Sequence, residues 1–276
     1  MLHFRKMHGL GNDFVVLDGR YQTISLSPQQ IQAIGNRHTG VGFDQLVILE
    51  QPPQPDQADV FMQIYNQDGS QAGACGNVSR CVAKLLFAED PNKTEVVIQT
   101  VAGLLECSRA ADGLFCVDMG EARQDWRDIP LAQAHDTLWV DFGLPELPPA
   151  VTVSMGNPHA IFFVPALDVA QVARLGPMVE HHPLLPDRAN VSFVQVIDRG
   201  HLEMRTWERG AGLTQACGSG ACATGVAAAA RNLTDRRVQV AMPGGTLTIE
   251  WLPDNHVLMT GAATLVFEGQ LDLNAL

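Results

Sequence analysis

Basic residues are scarce in this sequence. It holds 18 Lys and Arg against 30 Asp and Glu, a formal net charge of −12 over 276 residues. Such a surface repels phosphate backbones and anionic headgroups, and no Lys/Arg cluster builds a local basic groove. Nucleic acid and membrane are therefore not expected partners. Long apolar runs are missing too. No stretch approaches the ~20 residues that span a bilayer, and no apolar run of a secretory signal follows Arg5 and Lys6. A soluble, cytoplasmic protein is the expectation. Aromatic residues are only 6% against 46% hydrophobic overall, which implies a folded chain with an aliphatic core. The six cysteines at 75, 81, 107, 116, 217 and 222 form no C-x-x-C pair. That removes zinc-ribbon and thioredoxin-type readings and leaves no metal site indicated. In a reducing compartment they are thiols. Cys107 and Cys116 lie in strand-like runs and Cys81 and Cys222 inside helical ones, so all four read as small buried hydrophobes.

What the sequence does contain is a repeat at about half its length. VFMQIYNQDGSQAGACG (60–76) aligns without gaps on LEMRTWERGAGLTQACG (202–218). The offset is 142 residues, from Cys75 to Cys217. Gly11-Asn12 and Gly156-Asn157 repeat at an offset of 145, as do Gln45 and Asn190. A two-fold repeat predicts two similar lobes with paired polar positions across a cleft. The boundary is expected between Met119 and Pro149, where Leu144–Pro149 reads as loop. The lobes are then 1–118, joined by 263–276, and 119–262.

Short β-branched runs bounded by Gly, Pro, Asn or Asp predict strands. In the first lobe these are Asp13–Leu17, Val60–Tyr65, Glu95–Thr100, Leu104–Ser108 and Leu114–Met119. In the second they are Thr137–Val140, His159–Val164, Ser192–Ile197, Leu202–Glu208, Val238–Met242, Thr246–Trp251 and Val257–Gly261. Helices are predicted from about Gly76 to Glu89, stopping before Pro91, and from about Gly218 to Asn232. Pro28–Ile34 reads as a short amphipathic helix, and Val172–Glu180 as at most a turn or two around Pro177. Each lobe thus runs strand, loop, Cys-Gly, helix.

That order puts Cys75 and Cys217 at helix N-termini, where unpaired N–H groups and the dipole favour negative charge. A thiol there is expected to have a lowered pKa. The same N–H groups can hold a carboxylate, and Gly76 and Gly218 let a ligand approach closely. Two bases on opposite faces of one carbon are what stereoinversion needs: one thiolate removes an α-proton and the other thiol returns one. The α-C–H is far less acidic than a thiol, so donors around the enolate-like transition state must supply much of the catalysis. Asn12, Gln45, Asn66, Asn157 and Asn190 are amides bordering strand-like runs. Each suits a turn as well as a ligand contact. Arg209 suits a carboxylate or a surface ion pair. Glu208 and His159 are ionisable neighbours able to tune or orient a thiol, although a lone His is as readily structural.

Carried on MHGLGNDFVVLD (7–18), NRHTGVGFDQL (36–46), YNQDGS (65–70), ACGN (74–77), SMGNPHA (154–160), RANVSFVQVI (188–197) and the stretch from ERGAG to TQACGSGACA (208–223), the chain closely resembles the diaminopimelate epimerases. The Cys-Gly motifs also occur in the wider proline racemase superfamily; GLGNDF, FDQL and ERGAG narrow the resemblance. It implies an α+β fold of two pseudo-symmetric lobes, each a curled, mostly antiparallel sheet around a central helix, with a last strand at Thr264–Phe267 returning to the first lobe. It also implies a cofactor-independent, homodimeric enzyme interconverting L,L- and meso-diaminopimelate for lysine and peptidoglycan precursors. Cys75 and Cys217 would be the acid/base pair. Amides of Gly76, Asn77, Gly218 and Ser219 would hold the reacting carboxylate. Asn12, Gln45, Asn66, Asn157, Asn190, Glu208 and Arg209 would line the site, with Asn66, Asn157, Asn190 and Arg209 reading the distal centre. His159 and Glu208 would modulate the cysteines. Val78, Leu213 and RANVS depart from the common pattern. Three rivals fit part of it: a proline or hydroxyproline epimerase, a thiol redox protein switching through Cys75 and Cys217, and a non-catalytic amino-acid-binding protein.

Overall fold

Strands outnumber helices throughout. The structure, a computed structural model, describes residues 1–73 and 75–273. Ala74, in the first Ala-Cys-Gly, and 274–276, at the end of the segment expected to rejoin the first lobe, lie outside the described residues. The chain divides into two compact units: Met1–Val117 with the segment from Gly261 onward, and Asp118–Thr260.

The first unit contains β1 (Leu2–Gly9), β2 (Asn12–Asp18), α1 (Pro28–Gly35), β3 (Gln45–Glu50), β4 (Val60–Asn66), β5 (Gln71–Ala72), α2 (Gly76–Glu89), β6 (Glu95–Thr100), β7 (Gly103–Arg109) and the start of β8 (Phe115–Glu121). β1 pairs antiparallel with β2, β2 parallel with β3, and β3 antiparallel with β4. Then β4 pairs parallel with β6, and β6–β7–β8 are antiparallel. The short β5 adds a hairpin to β4. α1 starts at a capping box between Ser27 and Gln30, with Pro28 in the first turn. It buries Ile31 and Ile34 on an apolar layer with Phe43, Leu46 and Ile48. α2 packs on β1 as well as on β6 and β7. Touching strands from opposite ends of the sheet order means the sheet curls around this helix. It ends at Asp90, held extended ahead of Pro91.

The second unit repeats this plan: β9 (Val151–Ser154), β10 (Pro158–Phe163), α3 (Val169–Glu180), β11 (Asn190–Asp198), β12 (His201–Glu208), β13 (Gly212–Leu213), α4 (Gly218–Ala230), β14 (Arg237–Met242), β15 (Gly245–Trp251) and β16 (His256–Gly261). The pairings run antiparallel, parallel, antiparallel, parallel, antiparallel, antiparallel from β9 to β16, with β13 on β12. This is the order and sense found from β1 to β8. α4 packs on β9, β10, β11, β14 and β15, and its Ala-rich surface is buried from Gly218 to Ala228 except at Ser219. β17 (Thr264–Leu271) then pairs antiparallel with β1.

Four expectations need correction. β1, β3 and β9 were not predicted. In β3, LVIL is buried on both faces, and a continuous apolar run carries no period to mark a strand. Thr137–Val140 is not a strand; only Val140 bridges, to Ala150. The whole irregular stretch is nonetheless packed, with Ile129, Leu131, Val140 and Phe142 buried beside α3. α3 is a full 12-residue helix despite Pro177. Asp168 caps it, and Val172, Leu175, Gly176 and Val179 are buried along one face. That burial outweighs the cost of about 3 kcal/mol for an interior proline. α4 stops at Ala230, before Asn232, whose left-handed φ of 56° no helix can continue.

Candidate active site

Both cysteines are N-cap residues. Ser27 and Asp168 hold that position in α1 and α3 and cap with side-chain oxygens. α2 and α4 place Cys75 and Cys217 there instead. The repeated amides gather at the same strand ends in each unit. Asn12 opens β2 after a turn with Gly11 at φ 85°, and Asn157 precedes β10 after Gly156 at φ 83°. These positive φ values are why a glycine stands before each asparagine. Gln45 opens β3 and pairs with Asn66 at the end of β4; Asn190 opens β11, and Glu208 ends β12.

In the first unit, the Asn12 carbonyl accepts from the Asn77 amide at 3.2 Å and from the Cys75 thiol at 3.9 Å. Its own NH2 donates to Asp44 at 2.8 Å. Asp44 is held in turn by Arg37 at 2.7 Å. Asp44 therefore fixes which end of the Asn12 amide meets Cys75. Gln45 donates to Asn66 at 3.2 Å and Asn66 donates to Ser70 at 3.0 Å. The other end of Gln45, Oε1, is buried and has no partner among the described residues. Gly76 and Asn77 are buried in the first turn of α2, next to Cys75.

The second unit builds an equivalent chain. Asn157 donates to Ser219 at 3.4 Å, and the Ser219 hydroxyl lies 3.9 Å from the Cys217 sulfur. Ser219 thus occupies the place of Asn77. His159 is fully buried, and its Nε2 meets the Asn157 carbonyl at 2.9 Å. Burial, with the nearby Arg209 charge, pushes His159 down to about 3, so its ring is neutral. The Asn190 amide serves the main chain at both ends: its carbonyl accepts from Arg209 N–H at 2.9 Å and its NH2 donates to Pro158 O at 3.4 Å. The exposed Arg209 side chain donates to Asp187 O at 3.1 Å.

Electrostatics at Cys217 overturn one expectation. Its thiol is raised well above the ordinary value, first by burial and then by the charge and hydrogen bond of Glu208. The Gly220 N–H and Ser219 hydroxyl oppose this but do not win. The helix N-terminus does not make Cys217 an acidic thiol, because the dipole effect is small beside full desolvation. Glu208 acts on Cys217 directly. Among the described residues, His159 is linked to it through Asn157 and Ser219. Cys81 and Cys222 are buried in their helices and Cys107 in β7, whereas Cys116 is only half-buried. Val78, one of the unusual residues, is wholly buried. Among the described residues no cluster of three or more His, Cys, Asp or Glu side chains could hold a metal ion, and no helix is long and apolar enough to cross a membrane.

Sequence reasoning missed Asp44 and Glu180. Asp44 lies inside the FDQL run but acts on Asn12, 32 positions away. Glu180 ends a helix whose length was underestimated.

The diaminopimelate epimerase family model matches residues 4–124 and 151–266. The diaminopimelate epimerase of Rhodospirillum centenum is 55% identical over 97% of this chain and 91% of its own. That of Zymomonas mobilis is 49% identical over 98% and 97%. Two solved structures share the fold at low identity. A phenazine biosynthesis protein of Bacillus anthracis aligns with a TM-score of 0.68 at 16% identity, over 98% of both chains. A hydroxyproline epimerase of Agrobacterium vitis aligns with a TM-score of 0.68 at 15% identity, over 98% of this chain and 90% of its own.

Proposed function

The chain belongs to the diaminopimelate epimerase family, and from that premise we propose that it inverts an α-carbon by proton exchange through Cys75 and Cys217. It is an isomerase that interconverts diaminopimelate stereoisomers, a reaction of lysine biosynthesis. The reading adds that L,L- and meso-diaminopimelate are the pair exchanged, without a cofactor, and that the product also feeds peptidoglycan precursors. One observation carries the mechanism: each cysteine caps the buried helix at the same point of two units with the same strand order.

In the mechanism one thiolate takes the α-proton, and the electron pair left on carbon is delocalised into the adjacent carboxylate. N–H groups of Gly76, Asn77, Gly218 and Ser219 hold that carboxylate as charge builds on it. The second thiol gives its proton to the opposite face and becomes the thiolate. Burial and Glu208 keep Cys217 protonated at rest, so Cys217 is the donor when Cys75 is the base. In the reverse direction the same raised pKa makes the Cys217 thiolate a stronger base than an ordinary thiolate. The unpartnered Gln45 Oε1 suits a substrate ammonium. Asn12 orients Cys75, and Asn66, Asn157, Asn190 and Arg209 read the distal centre. Glu208 modulates Cys217 directly and His159 does so through Asn157.

The proposal includes a cytoplasmic homodimer. Thr264 to Glu268 of β17 are exposed on both strand faces, including Leu265, Val266 and Phe267, and an apolar strand of this kind suits a second copy.

The test is incubation of the reduced protein with L,L-diaminopimelate in deuterated water without pyridoxal phosphate. Meso product carrying α-deuterium is expected, and none should form with Cys75→Ala or Cys217→Ala. No product from the parent protein would overturn the substrate; activity surviving either substitution would overturn the two-base mechanism.

A further inference from the structure

Glu180 is an unusual place for a carboxylate. It is the last residue of α3, where the helix dipole disfavours negative charge. Its side chain is only 3% exposed, and burying a charge costs free energy unless hydrogen bonds compensate. The compensation is specific. Oε2 accepts from the Trp207 indole N–H at 2.7 Å, and Oε1 accepts from the Gly210 main-chain N–H at 3.0 Å. Arg188 lies further off, at 3.9 Å.

Those two donors bracket Glu208 and Arg209. Between them the Arg209 N–H is taken by Asn190, and just after them the Ala211 N–H closes on Glu208 O at 3.1 Å. Three consecutive main-chain N–H groups are thus anchored, although Gly210 and Gly212 have the positive φ values of a pliable turn. Gly176, one turn earlier in α3, lets the Trp207 ring lie against the helix; a Cβ there would come within 2.6 Å of it.

We propose that Glu180 is a positioning residue for the epimerisation: by gripping Trp207 and Gly210 it sets the Glu208 carboxylate against Cys217 and aims Arg209. This rests on the reading of Cys217 as a proton donor. Glu180 touches no reacting atom in this scheme. It acts through Glu208, and a charge-assisted pair of bonds can hold that turn where a single neutral bond would let it swing.

The experiment has an arm that does not need the reaction. Cys217 alkylation by iodoacetamide is followed against pH by peptide mass spectrometry in the parent protein, E180Q, E208Q and the double variant. A glutamine has one acceptor oxygen, so only one of the two donors keeps its bond. E180Q is expected to move the Cys217 midpoint to lower pH, as E208Q does, and to add no shift in the E208Q background. In the assay, E180Q is expected to lower kcat/KM by roughly 10- to 100-fold, since small misplacements are costly. Trp207→Phe in the E180Q background should restore part of it, because the glutamine oxygen can then serve Gly210 alone. An unchanged midpoint with unchanged kcat and KM in folded E180Q would overturn the proposal. So would an equal shift with and without Glu208. If E180Q does not fold, Trp207→Phe alone removes one of the two bonds and is read by the same midpoint. If the parent protein lacks epimerase activity, the functional reading fails while the alkylation cycle still decides the link from Glu180 to Cys217.

Discussion

His159 shows how much a single buried side chain contributes to pH dependence. Its ordinary value is 6.5, and burial with the Arg209 charge takes it to about 3 in the folded protein. The folded value lies below the unfolded one, so the unfolded chain binds the extra proton first. The associated stability is present above pH 6.5 and declines as the pH falls toward 3. Between pH 7 and pH 5 the loss from this group alone is about 2 kcal/mol. Urea unfolding at the two pH values should show a decline smaller by that amount in His159→Gln; an equal decline would mean that the ring is not held neutral. At this scale the sequence was readable where the repeat duplicated a residue, as for Cys75 with Cys217 and Asn12 with Asn157. It was unreadable where a residue acts across space on an element far along the chain, as Asp44 does on Asn12 and Glu180 on Gly210. The direction of the Cys217 pKa was missed for a related reason: spacing reveals a helix start but not a burial or a facing carboxylate. Asp44→Ala should free the Asn12 amide to turn over. The expected result is a fall in kcat/KM of about tenfold with little change in thermal midpoint; an unaltered kcat/KM would count against Asp44.

α3 illustrates what decides an element. Its proline argued for a break, yet the helix persists because its buried face is shared with β11 and β12. Gly176 is a point of close packing there, against Trp207. Alanine is the better helix former by about 1 kcal/mol, but its methyl group would meet the Trp207 Cβ and Cγ at 2.6 Å. Gly176→Ala is expected to destabilise the protein by about 2 kcal/mol net and to change tryptophan fluorescence. A stabilised variant would show that Trp207 has room to move. α1 and α2 were legible from their periods and stops, and α4 from its run of alanines though not at its last residues. β3 and β9 were not, since segments buried on every side give no alternation to count. The packed coil holding Ile129 and Phe142 escaped notice because its cohesion comes from contacts rather than regular backbone.

At the scale of the molecule, two stretches of low mutual identity adopt one strand order, and the landmarks that do repeat are those at the strand ends bearing the site. Placement of core residues can drift as long as volume and pattern are kept; a thiol or an amide that must meet a ligand cannot. The exposed strand β17 leads to an expectation about assembly. Phe267→Glu should shift the sedimentation coefficient from dimer to monomer, and a parent protein that sediments as a monomer would refute the homodimer.

β17 has a further consequence, for the order of events during synthesis. It covers one edge of β1 along that strand's length, yet it leaves the ribosome after every residue of Asp118–Thr260. The second unit is contiguous and can close as soon as it emerges. The first unit, translated earlier, must wait with one edge of its leading strand unmatched until β17 emerges. The half made first is the half completed last.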